Sequence, residues 1–219
     1  SSFSGLIVPI AVGSVSDTNT LREVCSDLYI SLWSSHFAIR PAKLFDGVEQ
    51  RLTILIGCHG SSDGGWHTSK YHQWFSDERP DLFSRLMLAS MPQRRSKQSP
   101  WPKIGSPTEA RILEKLRRFE DSPAHLLLTD SSKWIMYFHR TPGYWIRMLD
   151  FLPFFESPAG DRSVHHIREL YATSEAARAE IAGLGSSSLY FWWFFAIGNC
   201  RNLTKGDLLG FPAPRLDAG

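Results

Sequence analysis

Phe45 stands with Arg40, Lys43 and Arg51 in a stretch from Phe37 to Gly57 that ends on the apolar, β-branched run Leu52 to Ile56. An aromatic ring among cations at the lip of a sheet suits a flat, anionic ligand such as a nucleotide, by stacking and cation–π attraction. The same residues also describe a core phenylalanine with a solvated cationic rim, because a buried Phe is the commoner case. A second set, Arg140, Tyr144, Trp145, Arg147, Arg162, Arg168, Arg201, Asn202 and Lys205, is spread over the second half of the chain. If these residues converge, they offer phosphate contacts together with Arg and Asn donors able to read base edges.

Other constellations are less suited to chemistry. Cys58, His59, His67 and His72 are sulfur and imidazole donors of the kind zinc prefers, but their spacing matches no closed four-ligand pattern, so no metal site is expected. A metal-dependent hydrolase centred on them is a rival reading. His165 and His166 are adjacent and would face opposite ways on a strand. Asp130-Ser131-Ser132-Lys133 lacks an acid two residues before the lysine and reads as a surface turn. Nucleophile elbows, phosphate loops and dinucleotide fingerprints are absent, so no catalytic residue is assigned.

The elements that must position Phe45 follow from pattern. Leu6 to Pro9 reads as a short buried strand, and a helix is expected from about Asn19 to Tyr29, capped by Asp17 or Thr18, with Leu21, Val24, Cys25 and Leu28 inward. Strands at Tyr29 to Trp33 and Leu52 to Gly57 would follow. Strand, helix, strand, strand is the ending expected of an α/β sheet covered on both faces. The glycine-rich loop Ser61 to Gly65 is the candidate boundary between a domain at 1–60 and another at 61–219. A helix is expected over Leu82, Phe83, Leu86 and Met87. Residues 91 to 107, rich in proline and charge, read as a loop, either an arm contacting phosphates or a solvated linker.

Beyond it, Thr108 to Arg118 is an amphipathic helix, with Ile112, Leu113 and Leu116 inward. Leu126 to Leu128, Trp134 to Phe138 and Ile146 to Leu149 read as strands, and Val164 to Tyr171 as a strand or short helix. Ser174 caps a helix ended by Gly185. The rings from Tyr190 to Phe195 must be mostly core, since no helix face could leave all of them wet. A short helix and a proline-bearing strand at Phe211-Pro212 would close the chain.

Composition sets the limits. The chain has 219 residues, of which 42% are hydrophobic and 13% aromatic, enough for a packed core. A formal net charge of +2 means that a nucleic acid would be met by local clusters of cations. Three separated cysteines, Cys25, Cys58 and Cys200, indicate reduced thiols and a cytoplasmic location. No targeting segment is visible, and the most apolar run, Leu189 to Gly198, falls short of the roughly 20 residues that cross a bilayer, so no membrane partner is expected. The chain has no initiating Met and starts almost on a strand, which suggests a portion of a longer product.

Gly5-Leu6-Ile7-Val8-Pro9, Leu21-Arg22-Glu23, the Ala42-Lys43-Leu44-Phe45 loop and the Leu52 to Ile56 strand, in that order, resemble the adenine-specific DNA methyltransferases of restriction-modification systems. The resemblance covers residues 5 to 57, and more loosely Tyr71-x-x-Trp74 with Glu78-Arg79 and the ending from Ser186 to Pro212. It implies the terminal part of a Rossmann-like methyltransferase sheet followed by an α+β target-recognition domain. It further implies that Phe45 stacks on an adenine flipped out of double-stranded DNA. Beside it, Arg40, Lys43, Arg51, Arg140, Tyr144, Arg147, Arg201, Asn202 and Lys205 are, by residue type, the expected contacts to that DNA. S-adenosylmethionine would be held by an amino-terminal catalytic half of the same protein. The glycine-rich turn and the Asn/Asp-Pro-Pro-Tyr/Phe segment that the family needs are both missing here, so this stretch alone would bind no cofactor and be inert. The alternative is a DNA-specificity module that acts without catalysis.

Overall fold

The computed structural model describes residues 2–59, 65–91, 99–154, 156–158, 160 and 166–213, and over these the chain is mixed α/β with two sheets and several helices. Two compact units are distinguished: Ser1–Glu114 with Phe195–Cys200, and Lys115–Phe194 with Arg201–Gly219. Residues 61–64 of the expected boundary loop, and Arg94, Arg95, Lys97, Arg162 and His165, lie outside the described residues. Among the described residues no helix is long and apolar enough to cross a membrane.

The first unit is built on a five-stranded sheet ordered β1-β3-β2-β4-β5. Its strands are β1 (Ser2–Pro9), β2 (Ser31–Phe37), β3 (Leu52–His59), β4 (Trp66–His72) and β5 (Leu88–Met91). β3 pairs antiparallel with both β1 and β2, so those two run the same way, joined by helix α1 (Asn19–Leu28). β4 then adds parallel to β2, and β5 antiparallel to β4, so the sheet continues beyond residue 60. Leu32, Leu55, Cys25, Val12 and Trp101 form one core cluster, and Phe37, Ala42, Leu44, Leu52, Trp74 and Leu82 form another.

Several expectations are corrected here. Leu6 to Pro9 belongs to a longer strand that is mostly exposed, because β3 is the only neighbour of β1 among the described residues. Phe3, Leu6 and Ile7 stand open along it. On α1 the buried residues are Arg22 and Cys25, and Leu21, Val24 and Leu28 are exposed. Arg22 is drawn inward because its guanidinium donates to the carbonyls of Val12 and Val15, each at 2.8 Å, and to the Thr18 hydroxyl at 2.9 Å. That hydroxyl in turn lies 2.9 and 2.8 Å from the same two carbonyls, so it caps no amide of α1. The helix expected through Met87 is instead a 3-10 helix, Ser76–Asp81, containing Pro80, and of Leu82, Phe83, Leu86 and Met87 only Leu82 is buried. Residues 101–105, read as part of a loop, are all buried.

The second unit carries a four-stranded sheet ordered β6-β9-β7-β8, from β6 (Leu127–Leu128), β7 (Ile135–His139), β8 (Met148–Leu149) and β9 (Ile167–Ala172). Helix α2 (Pro107–Leu116), whose residues up to Glu114 belong to the first unit, buries Ala110, Leu113 and Leu116. Helix α3 (Glu175–Gly185) starts where the Ser174 hydroxyl accepts from the Ala177 amide at 3.1 Å, as its sequence predicts. Helix α4 (Ser188–Ile197) buries Tyr190, Trp193 and Phe194, and Phe211 meets Tyr190 and Trp193 edge-on at 5.3 and 5.4 Å. Helix α5 (Lys205–Leu209) is opened by a reciprocal cap between Thr204 and Asp207. Phe211 and Pro212, expected on a strand, lie outside any strand.

Candidate nucleic-acid interface

Phe45 sits in the loop that joins β2 to β3. Ala38 and Ala42 donate their amides to His72 and Trp74 carbonyls at 2.8 and 3.0 Å, which lays the loop along the end of β4. Ala42 and Leu44 are buried, and the Arg40-Pro41 peptide is cis. Arg79 then grips two consecutive carbonyls, with Nη2 donating to Lys43 at 2.8 Å and Nη1 to Leu44 at 3.1 Å, while its guanidinium lies 5.0 Å over the Trp74 ring. Past this clamp the Val48 amide donates to the Phe45 carbonyl at 3.3 Å, and Gly47 takes φ +76°, a left-handed value that glycine adopts at low cost. The loop is thus pinned on both sides of Phe45, whose ring is 42% exposed.

The cations expected around the ring are differently employed. Lys43 Nζ meets Glu49 Oε1 at 2.5 Å, and this hydrogen bond and charge, with a smaller contribution from Arg40, hold the Glu49 carboxyl below its usual range. Arg40 is exposed. Arg51 donates from Nε to the Tyr71 hydroxyl at 3.0 Å, on a ring that stacks with Phe195 at 5.6 Å. Burial pushes the Tyr71 hydroxyl up to about 12 and the Cys200 thiol up to about 11, so neither is an anionic nucleophile at neutral pH. Arg79 had no assigned role in the sequence reading. Its one signal there is the Tyr71-x-x-Trp74, Glu78-Arg79 spacing, in which the Trp74 carbonyl takes the Ala42 amide, the Tyr71 hydroxyl accepts from Arg51, and Glu78 caps the Phe75 amide before Arg79.

Behind the loop lies a buried polar network. His36 Nδ1 is 2.9 Å from the Thr53 hydroxyl and Nε2 3.1 Å from the Thr68 hydroxyl. Thr68 gives its proton to the Pro102 carbonyl at 2.7 Å, so its oxygen accepts from Nε2–H, and Nδ1 accepts from Thr53. Burial, then Lys103 and His72, keep His36 neutral, well below the usual 6.5, and burial with Lys70 lowers His72 to about 4. Both rings refuse a proton that the unfolded chain accepts. Stability is therefore full above about pH 6.5 and falls as the pH drops below it, by up to about 1.4 kcal/mol per pH unit from His36 and less from the partly screened His72. The unfolding midpoint should decline between pH 7 and 5, and His36→Gln should flatten the slope. A midpoint unchanged over that window in the parent chain refutes the assignment.

In the second unit Arg140 is a junction. Its amide donates to the His166 carbonyl at 2.7 Å, and its carbonyl accepts from the Leu203 amide at 2.6 Å. Arg140 and Arg201 are thereby brought to one neighbourhood with Asn202, whose Oδ1 accepts from the Thr141 hydroxyl at 3.4 Å. Tyr144 and Arg147 lie on the turn that leaves this junction for β8, and Arg168 stands opposite Phe138 on β9. Lys205 is engaged elsewhere, donating to the Leu128 carbonyl at 3.2 Å beside β6. β6 and β8 are the two edges of the sheet, three spacings of roughly 4.8 Å apart, so Lys205 stands well away from Arg147. Trp145 stacks on Phe191 at 4.8 Å.

The metal-ligating candidates do not gather. β2 separates Cys58 and His59 on β3 from His67 and His72 on β4. His67 stacks on Trp33 at 5.5 Å, and His59 lies 4.8 Å from the Tyr29 ring. Groups of donors able to hold a metal ion are absent among the described residues. The turn leaving β1 is packed: Ile10, Val12 and Gly13 are buried there, and a Cβ on Gly13 would lie 3.4 Å from Trp101. Compared with known proteins, the chain matches no family model and no curated relative.

Proposed function

We propose that this chain is the carboxy-terminal part of an S-adenosylmethionine-dependent, adenine-specific DNA methyltransferase of a restriction-modification or related defence system. In this reading the sheet of the first unit, which runs past the expected boundary at residue 60 through β4 and β5, closes a Rossmann-like catalytic domain, and the second unit belongs to a target-recognition domain. The observation that carries it is the Phe45 loop: a half-exposed ring held on a short, doubly anchored loop at the end of a sheet, where a flipped base needs a flat partner. The open margin of β1 adds support. Phe3, Leu6, Ile7, Leu21, Val24, Leu28 and Ile56 are exposed, β1 is an edge strand among the described residues, and the amino-terminal catalytic half of the same polypeptide is the proposed cover.

The work assigned to this chain is binding and orientation. Phe45 would stack on the extruded adenine, Arg140 and Arg201 would neutralise phosphates, and Asn202 would present an amide to a base edge. The cofactor, held by the other half, supplies the methyl group.

The test is transfer of a labelled methyl group to duplex DNA by the full polypeptide, followed by digestion to nucleosides. Label in N6-methyladenine is the expected result, with no transfer by residues 1–219 alone. Duplex binding without any transfer by the full polypeptide would replace this reading with a stand-alone specificity module. No binding to DNA would sink both.

A further inference from the structure

Resting on that reading, we infer that Tyr144 is a wedge that enters the DNA duplex at a base step and stacks there. Its side chain is 100% exposed, although the turn that bears it is fixed on both sides. Before it, Arg140 is bonded through both backbone groups, and the Thr141 amide donates to His139 Nδ1 at 3.2 Å. After it, Trp145 is stacked on Phe191, Ile146 is buried, and the Met148 amide donates to the Ser186 hydroxyl at 3.2 Å. The interval between these anchors is Pro142-Gly143-Tyr144, and open space surrounds Gly143. A ring carried outward on a rigid turn enters a stack with little conformational entropy left to lose.

Charge identifies the occupant. Arg140 and Arg147, both exposed, precede and follow Tyr144 on the same turn, and the Leu203 amide bonded to the Arg140 carbonyl brings the segment of Arg201 to that turn. The nearest following acid, Asp150, is 3.9 Å from Arg178. An aromatic set between arginines fits a polyanion with stacked rings inside it, which is duplex DNA. The wedge acts on the duplex itself. It is therefore a different contact from that of Phe45 with the extruded base.

The experiment uses the whole chain and two fluorescein-labelled duplexes, one fully paired and one identical except for a central mismatched pair. A wedge must open a step before it stacks, so the parent chain should bind the mismatched duplex more tightly. Tyr144→Ala should bind about tenfold more weakly and lose the preference, since a base–aromatic stack contributes on that scale. Tyr144→Phe should behave as the parent, and Arg140→Ala should weaken both duplexes while keeping the preference. Because Tyr144 contributes no buried surface, its variants should unfold at the parent temperature. A Tyr144→Ala chain with parental affinity and preference overturns the wedge and leaves the proposed function standing. A parent chain that binds neither duplex overturns both.

Discussion

Alanine in place of Trp101 is expected to destabilise the first unit by about 3–5 kcal/mol, the range seen when a fully buried large ring is truncated. Trp101 is 0% exposed and packs with Val12, Cys25, Leu32 and Leu55. Its amide donates to the Gly13 carbonyl at 2.7 Å, and its ring and Cβ lie 3.4 Å from where a Cβ on Gly13 would be. Domains are stable by only about 5–15 kcal/mol, so the loss should appear as a large drop in the urea midpoint of the Trp101→Ala chain. The indole Nε1 meets no hydrogen-bond partner among the described residues. Trp101→Phe therefore sacrifices packing without breaking a polar contact and should cost clearly less. Equal midpoints for Trp101→Ala and the parent would show that the segment is not part of the core.

That prediction runs against the reading of residues 91 to 107 as a solvated linker or phosphate arm. Pro100, Pro102 and Lys103 carry no periodicity, and proline with charge ordinarily marks water-facing chain. What makes residues 101–105 internal is tertiary. The Lys103 amide donates to the Ala196 carbonyl, far along the sequence, and the Pro102 carbonyl accepts a hydrogen bond from the Thr68 hydroxyl. Local pattern holds no trace of such contacts. α1 fails for a related reason: its apolar spacing is real, but Arg22 is recruited inward by carbonyls of the preceding turn, and that shifts the buried face. Where a signal is local it was legible, as in the Ser174 cap, the Leu52 to Ile56 strand and the ring-rich α4. The Phe45 loop was legible as a loop, and its support by Arg79 was not, because a guanidinium reaching carbonyls 35 and 36 residues away leaves only the Glu78-Arg79 pair in the sequence.

Removal of that support gives the second large effect. On the proposed function, Arg79→Ala in the full polypeptide should lower methyl transfer to a paired duplex by about 100-fold, because displacing a ring that holds the base by about 1 Å would cost on that order. Phe45→Ala should cost a similar factor, since it abolishes the stack outright. Lysine at position 79 should not rescue. Its single ammonium cannot serve two carbonyls from one plane while lying over Trp74, as the guanidinium does at 2.8, 3.1 and 5.0 Å. If Arg79 acts only through Phe45, the double variant should be no worse than the worse single one, whereas independent roles would multiply the losses. A duplex mismatched at the target adenine, where extrusion is already cheap, should restore part of the activity of both single variants. Equal activity of Phe45→Ala on the paired and mismatched duplexes would reject the stacking role, and a multiplicative double variant would reject the clamp. The two failures are separable because the first concerns the ring and the second only the loop that carries it.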